Sequence, residues 1–324
     1  MSRILAVDVG GSGLRAERVE VTAAGGGRGG GAGGRSQTSE TVGRFEGAGA
    51  AITPGGIDLE TLVDDVQGFE SRFRQRPDVV VWSMRGLLGL SDPEQVLRAV
   101  HSRLGAERTV VASDAVTSLV GALGGVRPGA VLAAGSGVVA LATDFAEVWR
   151  MVDGWGHVLA DRGSGAWIGL EGLRAALATE DGVPGGSALL HEAAILAWGE
   201  PRVWPRLVMT TPDAQARLAG LAPIVAGLAG RDAVAAQVVA RAVGHLADSL
   251  ESAALCVRGA AVTAVGGLFL LPEISVAFED ELRLRGIDLT AASGTALDGA
   301  VSLGRYVVDG GALAARAPYL LRSP

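Results

Sequence analysis

The same short pattern, a strand followed by a glycine-rich turn and a second strand, occurs twice in the chain and limits the folds open to it. Residues 3–8 and 14–21 have the composition of two strands, and Gly10-Gly11-Ser12-Gly13 joins them. Residues 130–134 and 138–143 repeat the pattern around Gly135-Ser136-Gly137. A repeated supersecondary unit indicates an internal duplication. We therefore expect two α/β halves with a ligand cleft between them.

Helical periodicity surrounds both strand pairs. Asp58 begins a stretch in which apolar residues recur every three or four positions as far as Phe73, and Pro77 ends it. Helices are also predicted over 93–104, 113–123, 163–178, 186–198, 213–229, 232–257 and 296–308, and further strands over 79–82, 109–112 and 262–265. A glycine-rich stretch from Ala23 to Gly34 is predicted to be a mobile hairpin tip.

Composition narrows the class of protein. With 324 residues, of which 48% are hydrophobic, the chain can fill two cores. No apolar run reaches the roughly 18 residues of a membrane helix, and residues 3–8 have the pattern of a strand rather than of a signal peptide. We therefore expect a cytoplasmic protein with no membrane partner. A net charge of −7 without a basic stretch argues against nucleic acid as a partner.

Three residue types restrict the chemistry. Cys256 is the only cysteine, so the chain has no internal disulfide, and the apolar neighbours of Cys256 predict a buried side chain. Lysine and asparagine are absent from the sequence. No catalytic lysine and no asparagine ligand can therefore take part in a reaction.

The segment Asp8 to Gly13 has the features of a phosphate-binding loop. Glycines directly after a strand let backbone N–H groups approach a phosphate closely. Asp8, at the end of that strand, is suited to hold Mg²⁺ through water, because hard cations prefer carboxylate oxygens. The segment has no Gly-Lys-Ser/Thr, and a strand rather than a helix follows it, so neither the P-loop nor the dinucleotide fingerprint fits. A plain hairpin turn is the alternative.

Four further segments are candidates for binding. The turn Gly135-Ser136-Gly137 is predicted to be a second phosphate-binding hairpin. The segments 153–157 and 161–169 are dense in glycine and carry Trp155, Trp167 and Asp161; function is favoured for Asp161, whereas core packing is the alternative for the tryptophans. Gly266-Gly267 follows a strand and offers a flat backbone to a planar ring.

Together these motifs resemble those of the BadF/BadG-type ATPase and N-acetylglucosamine kinase family, in the actin-like ATPase and sugar kinase superfamily. The most specific stretch is Gly154-Trp155-Gly156-His157 through Asp161 to Gly169, which is similar to the family's Gly-Gly-Trp-Gly-His…Gly-Asp-Glu-Gly-Ser…Trp-Ile-Gly. Ser113-Asp114-Ala115 resembles the segment that supplies the family's catalytic aspartate. The resemblance covers nearly the whole chain.

The resemblance implies two ribonuclease-H-like domains hinged around ATP, over residues 1–115 and 116–295, with a last helix at about 296–324 that packs back on the first domain. It implies ATP and Mg²⁺ as cofactors and a homodimer. Gly10, Gly11, Ser12, Gly13, Gly135, Ser136, Gly137, Gly266 and Gly267 would bind ATP. Asp114 would be the catalytic base, with a plain helix cap as the alternative. Sugar contacts would come from Ser83, Gly86, Asp114, Gly154, Trp155 and Asp161.

The chain departs from the family pattern on the sugar side. Asp153 stands where the family has glycine, Arg162 where it has glutamate, and residues 47–56 contain no asparagine for the sugar. The leading hypothesis is an ATP-dependent kinase for a hydroxyl, expected to be the 6-OH, of N-acetylglucosamine or glucosamine. A nucleotide-binding sensor or non-catalytic relative is the alternative. An ATPase that activates a CoA-ester reductase or dehydratase is a further enzyme hypothesis, and Cys256 would be its only thiol for a shared iron–sulfur cluster.

Overall fold

The computed structural model describes residues 1–11, 13–23, 37–53, 55–87 and 89–323. The predicted mobile tip at 23–34 therefore falls almost entirely outside the described residues, and so does Ser12. The strands are β1 Ser2–Val9, β2 Leu14–Ala23, β3 Gln37–Gly47, β4 Ile52–Thr53, β5 Gly56–Ile57, β6 Val79–Met84, β7 Arg108–Ser113, β8 Gly129–Ala134, β9 Val138–Thr143, β10 Trp149–Asp153, β11 Ala261–Val265 and β12 Leu320–Arg322. The α-helices are α1 Leu59–Glu70, α2 Pro93–Leu104, α3 Asp114–Leu123, α4 Gly165–Glu180, α5 Ala188–Trp198, α6 Trp204–Met209, α7 Ala214–Ala219, α8 Ala222–Leu228, α9 Ala233–Ala254, α10 Pro272–Leu284 and α11 Ala296–Val308.

Two compact units share these elements. Unit 1 comprises residues 1–127 and 293–324, and unit 2 comprises residues 128–292. From the sequence, domains were expected over residues 1–115 and 116–295. In the structure α3, which lies after residue 113, belongs to unit 1. The reason is packing, because α3 lies against α11, and their contact passes through two glycines.

Unit 1 is built on a six-stranded sheet with the order β12-β7-β6-β1-β2-β3. β1, β6 and β7 are parallel, whereas β2, β3 and β12 join by antiparallel pairing. The parallel strands are buried throughout their central parts, as expected for a sheet covered on both faces. Because parallel strands end at the same edge, Asp8, Ser83 and Ser113 are brought to one edge of the sheet.

Unit 2 repeats part of that topology. Its sheet has the order β10-β9-β8-β11, with β8 and β11 parallel and the other pairs antiparallel. The order β3-β2-β1-β6 in unit 1 has the same pattern of directions. The internal duplication inferred from the two hairpins is confirmed at the level of strand order. A core of α9 and α10 side chains packs against the sheet of unit 2.

Three sequence predictions need correction. Cys256 is exposed, because it lies in the 3-10 turn Leu255–Val257 that follows α9, where only Val257 points into the core. The helix predicted over 213–229 is two helices, α7 and α8, separated at Gly220. The helix predicted to begin at 163 begins at Gly165, because Ser164 caps it by accepting the Trp167 N–H.

Within the described residues, no single helix is both long and apolar enough to cross a membrane. Residues 214–228 and 233–257 meet that length and composition only as a pair bent by 116°.

Candidate active site

The candidate site residues are distributed over both units, and each half is described by itself. In unit 1 the half-site lies at the carboxyl edge of β1, β6 and β7. Asp8 is the second-last residue of β1 and pairs in register with Ser83 of β6. Asp114 is the first residue of α3, directly after β7. The sequence prediction that Asp114 begins this helix is confirmed.

Asp114 lies in an environment that favours its protonated form. Burial, and next the charge of Asp8, raise the pKa of Asp114 from 3.8 to about 6, while Arg85 opposes the rise. Burial also raises the pKa of Asp8. Asp114 Oδ1 accepts a hydrogen bond from the Ala115 N–H at 3.0 Å, but Ser113, the N-cap residue, makes no side-chain cap. A carboxylate with a pKa near neutrality has the proton affinity of a general base.

A pair of hydroxyls links the Asp8 carboxylate to the backbone carbonyl of Asp114. Ser83 Oγ lies 3.3 Å from Asp8 Oδ1 and 2.7 Å from Thr117 Oγ1, and Thr117 Oγ1 lies 3.1 Å from the Asp114 carbonyl oxygen. Both hydroxyls are buried. They supply two hydrogens for three contacts, so an ionised Asp8 leaves one of the contacts without a hydrogen. Thr117 belongs to this arrangement although no motif in the sequence pointed to it.

The loop at Gly10–Gly13 is tightly closed. The Gly10 N–H donates to the Gly13 carbonyl at 2.9 Å, and the Ala50 N–H donates to the Gly10 carbonyl at 2.9 Å. A Cβ on Gly49 would lie 2.6 Å from both Gly11 O and Gly13 N. The segment 47–50 therefore buttresses the loop by a close backbone approach that requires glycine.

Arg85 is a second residue of this half-site that sequence reasoning missed. Its N–H donates to the Val9 carbonyl at 3.0 Å, and a Cβ on Gly11 would lie 1.9 Å from Arg85 Nη1. The guanidinium therefore lies over the glycine loop and near enough to Asp114 to oppose the rise in its pKa. Its position directly after β6, at the edge that collects Asp8 and Ser113, was the available signal.

In unit 2 the hairpin Gly135–Gly137 contacts the start of α4. The Gly165 and Ala166 N–H groups donate to the Gly135 and Ser136 carbonyls at 2.8 and 3.2 Å. A Cβ on Gly135 would meet no atom within 4 Å, whereas one on Gly137 would lie 2.6 Å from Asp161 Oδ2. Gly135 thus borders open space, and Gly137 is needed for packing.

The two glycines after β11 also differ in the space that a side chain would find. Gly266 has a φ of +115°, and a Cβ there would lie 2.1 Å from the Ala134 carbonyl oxygen. Gly267 borders open space. Gly266 thus lets the chain pass directly over the end of β8, beside the Gly135–Gly137 hairpin.

Asp161 connects two loops of unit 2. It is 4% exposed, and its Oδ1 accepts the Gly156 N–H at 3.0 Å. Its other oxygen faces Gly137. Trp155 by contrast is 66% exposed, so core packing, the alternative for this tryptophan, does not hold, whereas Trp167 does pack against the core.

The residues of unit 1 suit Mg²⁺. Asp8 and Asp114 offer hard oxygen donors, and a cation would offset the repulsion that raises the pKa of Asp114. In the described parts of the chain no group of three or more His, Cys, Asp or Glu forms a complete metal cage.

Comparison with known proteins identifies the fold. No protein-family model matches the chain, and no curated protein matches it. The structure is similar to that of a provisionally assigned N-acetylglucosamine kinase from Chromobacterium violaceum, with a TM-score of 0.70 and 23% identity over 94% of this chain and 99% of that one. The structure is also similar to that of a second provisionally assigned N-acetylglucosamine kinase, from Porphyromonas gingivalis. The TM-score is 0.64, and the identity is 18% over 95% of this chain and 99% of that one.

A glucokinase of the ROK family from Streptomyces griseus, in complex with glucose and AMPPNP, gives a TM-score of 0.55 and 18% identity over 94% of this chain and 99% of that one. The chain therefore has the α/β fold of the actin-like ATPase class. Within that class, its structural neighbours are sugar kinases.

Proposed function

We propose that the protein is an ATP-dependent sugar kinase that transfers the γ-phosphate of ATP to a hydroxyl of an amino sugar, N-acetylglucosamine or glucosamine, at the 6-OH. The observation that carries the proposal is the position of Asp114 at the start of a helix, beside the carboxylate of Asp8. Burial and the charge of Asp8 raise the pKa of Asp114 to about 6. The kinase fold and the two glycine hairpins support the proposal.

In the proposed reaction the sugar hydroxyl oxygen attacks the γ-phosphorus, and the bond from that phosphorus to the β–γ bridging oxygen breaks. The hydroxyl proton passes to Asp114, and ADP leaves with the bonding electron pair. The chain performs little covalent chemistry, so positioning and charge supply the catalysis. Asp8 would hold Mg²⁺ through water, and the ion would offset the charge of the phosphates.

The nucleotide contacts are proposed from the backbone. Gly11 and Gly13 in unit 1, and Ser136 and Gly137 in unit 2, would donate N–H groups to phosphate oxygens. The Gly10 and Gly135 N–H groups already donate to the Gly13 and Gly137 carbonyls, so these two glycines would close the turns. Gly266 and Gly267 would contact the adenosine. Arg85 joins the proposal as a cation beside the first loop.

The sugar contacts are proposed at Ser83, Gly86, Asp114, Gly154, Trp155 and Asp161. Trp155 offers an exposed ring for the apolar face of a hexose. For Asp161 the burial and the bond from Gly156 favour a positioning role in addition to any hydroxyl contact. A homodimer and a cytoplasmic location remain predictions from the sequence.

The test is release of ADP from Mg-ATP by the full chain, with glucosamine, N-acetylglucosamine, N-acetylmannosamine and glucose as acceptors, and mass spectrometry of the product. We expect sugar-dependent ADP release that Asp114→Asn lowers on the order of 10²-fold. The alternative, a nucleotide-binding sensor, is favoured by the departures at Asp153 and Arg162. Tight ATP binding with no turnover of any of the four sugars would support the sensor and contradict the kinase.

A further inference from the structure

The loop at residues 154–160 of unit 2 has exposed apolar side chains, whereas the residues at its two ends, Asp153 and Asp161, are buried. Val158 and Leu159 are 81% and 80% exposed, and with Trp155 they give the loop an apolar outer surface. The loop begins and ends next to two aspartates in the left-handed region, Asp153 at φ +57° and Asp161 at φ +52°. Aspartate adopts left-handed backbone more readily than most side chains do. Hydrogen bonds that both carboxylates accept help to hold the backbone there.

Asp153 is held from two directions. Its side chain is 2% exposed, and Ser249 Oγ of α9 donates a hydrogen bond to its Oδ2. Arg162 approaches from the other side, with Nη2 at 3.4 Å from Oδ2 and Nε at 3.5 Å from Oδ1. A buried carboxylate is costly unless it is paired. Arg162 supplies the compensating charge among the contacts of Asp153.

Arg162 is placed for this pairing by its own surroundings. It follows the left-handed Asp161, and Gly163 next to it packs so close to α9 that a Cβ would lie 2.5 Å from the Ala242 carbonyl oxygen. The guanidinium is 47% exposed, and after burial its charge is the next cause that lowers the pKa of His245 on α9. Arg162 therefore lies along α9 and reaches back to the end of β10.

We propose that Asp153 and Arg162 form one positioning unit, an ion pair that closes the base of the loop 154–160 and fixes Trp155 and Asp161 for substrate. The inference rests on the proposed function for its substrate, but the ion pair and the loop can be tested without turnover. It also joins the two departures of this segment from the family pattern, glycine to Asp153 and glutamate to Arg162, into one reciprocal change. Arg162 then acts through Asp153 and the loop.

The test is a double-mutant cycle in the full chain with D153G, R162E and the double variant. D153G alone should fold with a melting temperature near that of the wild type, because glycine accepts a positive φ and Arg162 can turn to solvent. R162E alone should melt several degrees lower, because it places a second carboxylate beside a buried one. In the double variant the melting temperature should return to that of D153G.

Two readouts separate a positioning role from a merely structural one. In protein labelled with 5-fluorotryptophan, the ¹⁹F resonance of Trp155, assigned with Trp155→Phe, should shift and narrow in D153G although the fold is retained. On the acceptor with the best turnover, D153G should raise the sugar KM about tenfold, as expected for misplaced substrate contacts, with the ATP KM little changed. R283E reverses the charge of an exposed ion pair in the same unit and should change none of these values.

Equal melting losses from R162E with and without D153G would show that the two residues are not coupled, and the proposal would be wrong. An unchanged Trp155 resonance in D153G would equally overturn it. If no acceptor sugar is turned over by the wild type, the proposed kinase activity fails, but the cycle and the resonance still decide whether the ion pair fixes the loop.

Discussion

Asp114→Asn should stabilise unit 1 while it abolishes the proposed catalysis. The pKa of Asp114 rises from 3.8 to about 6 in the folded protein. A difference of about 2 pKa units corresponds to at most about 3 kcal/mol of folding free energy. Because the folded state holds the proton more tightly than the unfolded one, the ionised carboxylate opposes folding above pH 6. This unfavourable contribution shrinks as the pH falls through 6 towards 4.

Asparagine carries no charge at any of these pH values and keeps an oxygen for the Ala115 N–H. We therefore expect the variant to exceed the wild type in free energy of unfolding by about 1–3 kcal/mol at pH 8. At pH 4.5 about a third of that difference should remain, roughly 0.3–1 kcal/mol, because the carboxyl group is still mostly ionised in the unfolded chain. Such a gain would mark Asp114 as a residue kept for activity at the expense of stability.

The assay is urea unfolding at pH 8, 7, 6, 5 and 4.5, followed by the ¹⁹F signal of 5-fluorotryptophan at Trp82. Trp82 is the only tryptophan in unit 1 and is fully buried, so its resonance reports on that unit alone. Asp58→Asn is the matched control. Asp58 caps α1 in the same unit, and the Thr61 hydroxyl lowers its pKa, so the stabilising effect of its charge is lost as the pH falls. An Asp114→Asn variant that is no more stable at pH 8, or whose gain does not change with pH, would refute the reasoning.

Four further predictions follow from the site. Gly135→Val should weaken Mg-ATP binding at least about tenfold by calorimetry without lowering the melting temperature, because a side chain there enters open space that phosphate would need. Gly125→Val, also in open space, is the control. Equal affinities of the wild type and Gly135→Val for Mg-ATP would remove the hairpin from the nucleotide site. The kcat/KM of the wild type should fall below pH 6 with an apparent pKa of about 6, since kcat/KM reports on the free enzyme and Asp114 must be ionised to receive a proton, and a flat kcat/KM profile from pH 5 to 8 would exclude it as the base. Thr117→Val should lower the free energy of unfolding of unit 1 by about 1–3 kcal/mol, because it removes the hydroxyl between Ser83 and the Asp114 carbonyl. Urea unfolding followed at Trp82 measures this change. A loss under about 0.5 kcal/mol would show that the hydroxyl pair does not contribute to stability. Asp161→Ala should raise the KM of both ATP and sugar, because the carboxylate holds Gly156 and faces Gly137, and a rise confined to the sugar would assign Asp161 to direct hydroxyl contact instead.

Local signals explain which elements the sequence predicted well. The helix over 93–104 was placed correctly at both ends, because Asp92 caps it, Pro93 occupies its first turn and Gly105 ends it in the left-handed region. The hairpin around Gly10–Gly13 was placed well for a similar reason. In each case residues within a few positions of one another determine the backbone, so the sequence alone carries the information.

Tertiary contacts explain what the sequence did not predict. Arg85, Thr117 and Ser249 join their sites only because distant elements meet, so no local pattern singles them out. Asp153 and Arg162 were noted as separate departures from a family pattern, although they form one ion pair. The strand Trp149–Asp153 was not predicted from the sequence, and its pairing with β9 defines it.

The contact between α3 and α11 has a consequence for the order in which the chain can fold during synthesis. A Cβ on Gly121 would lie 1.9 Å from the Thr295 carbonyl oxygen, and one on Gly299 would lie 1.9 Å from the Thr117 carbonyl oxygen. The two helices thus touch backbone to backbone along the helix that begins at Asp114.

The ribosome completes α11 only about 180 residues after residue 127, the end of the first segment of unit 1. At typical elongation rates this takes roughly 10–40 s. During that interval the apolar face of α3 lacks its partner, whereas unit 2 is one continuous segment and can fold as it emerges. The start of α3, where Asp114 lies, is therefore among the last parts of the nascent protein to reach its final surroundings.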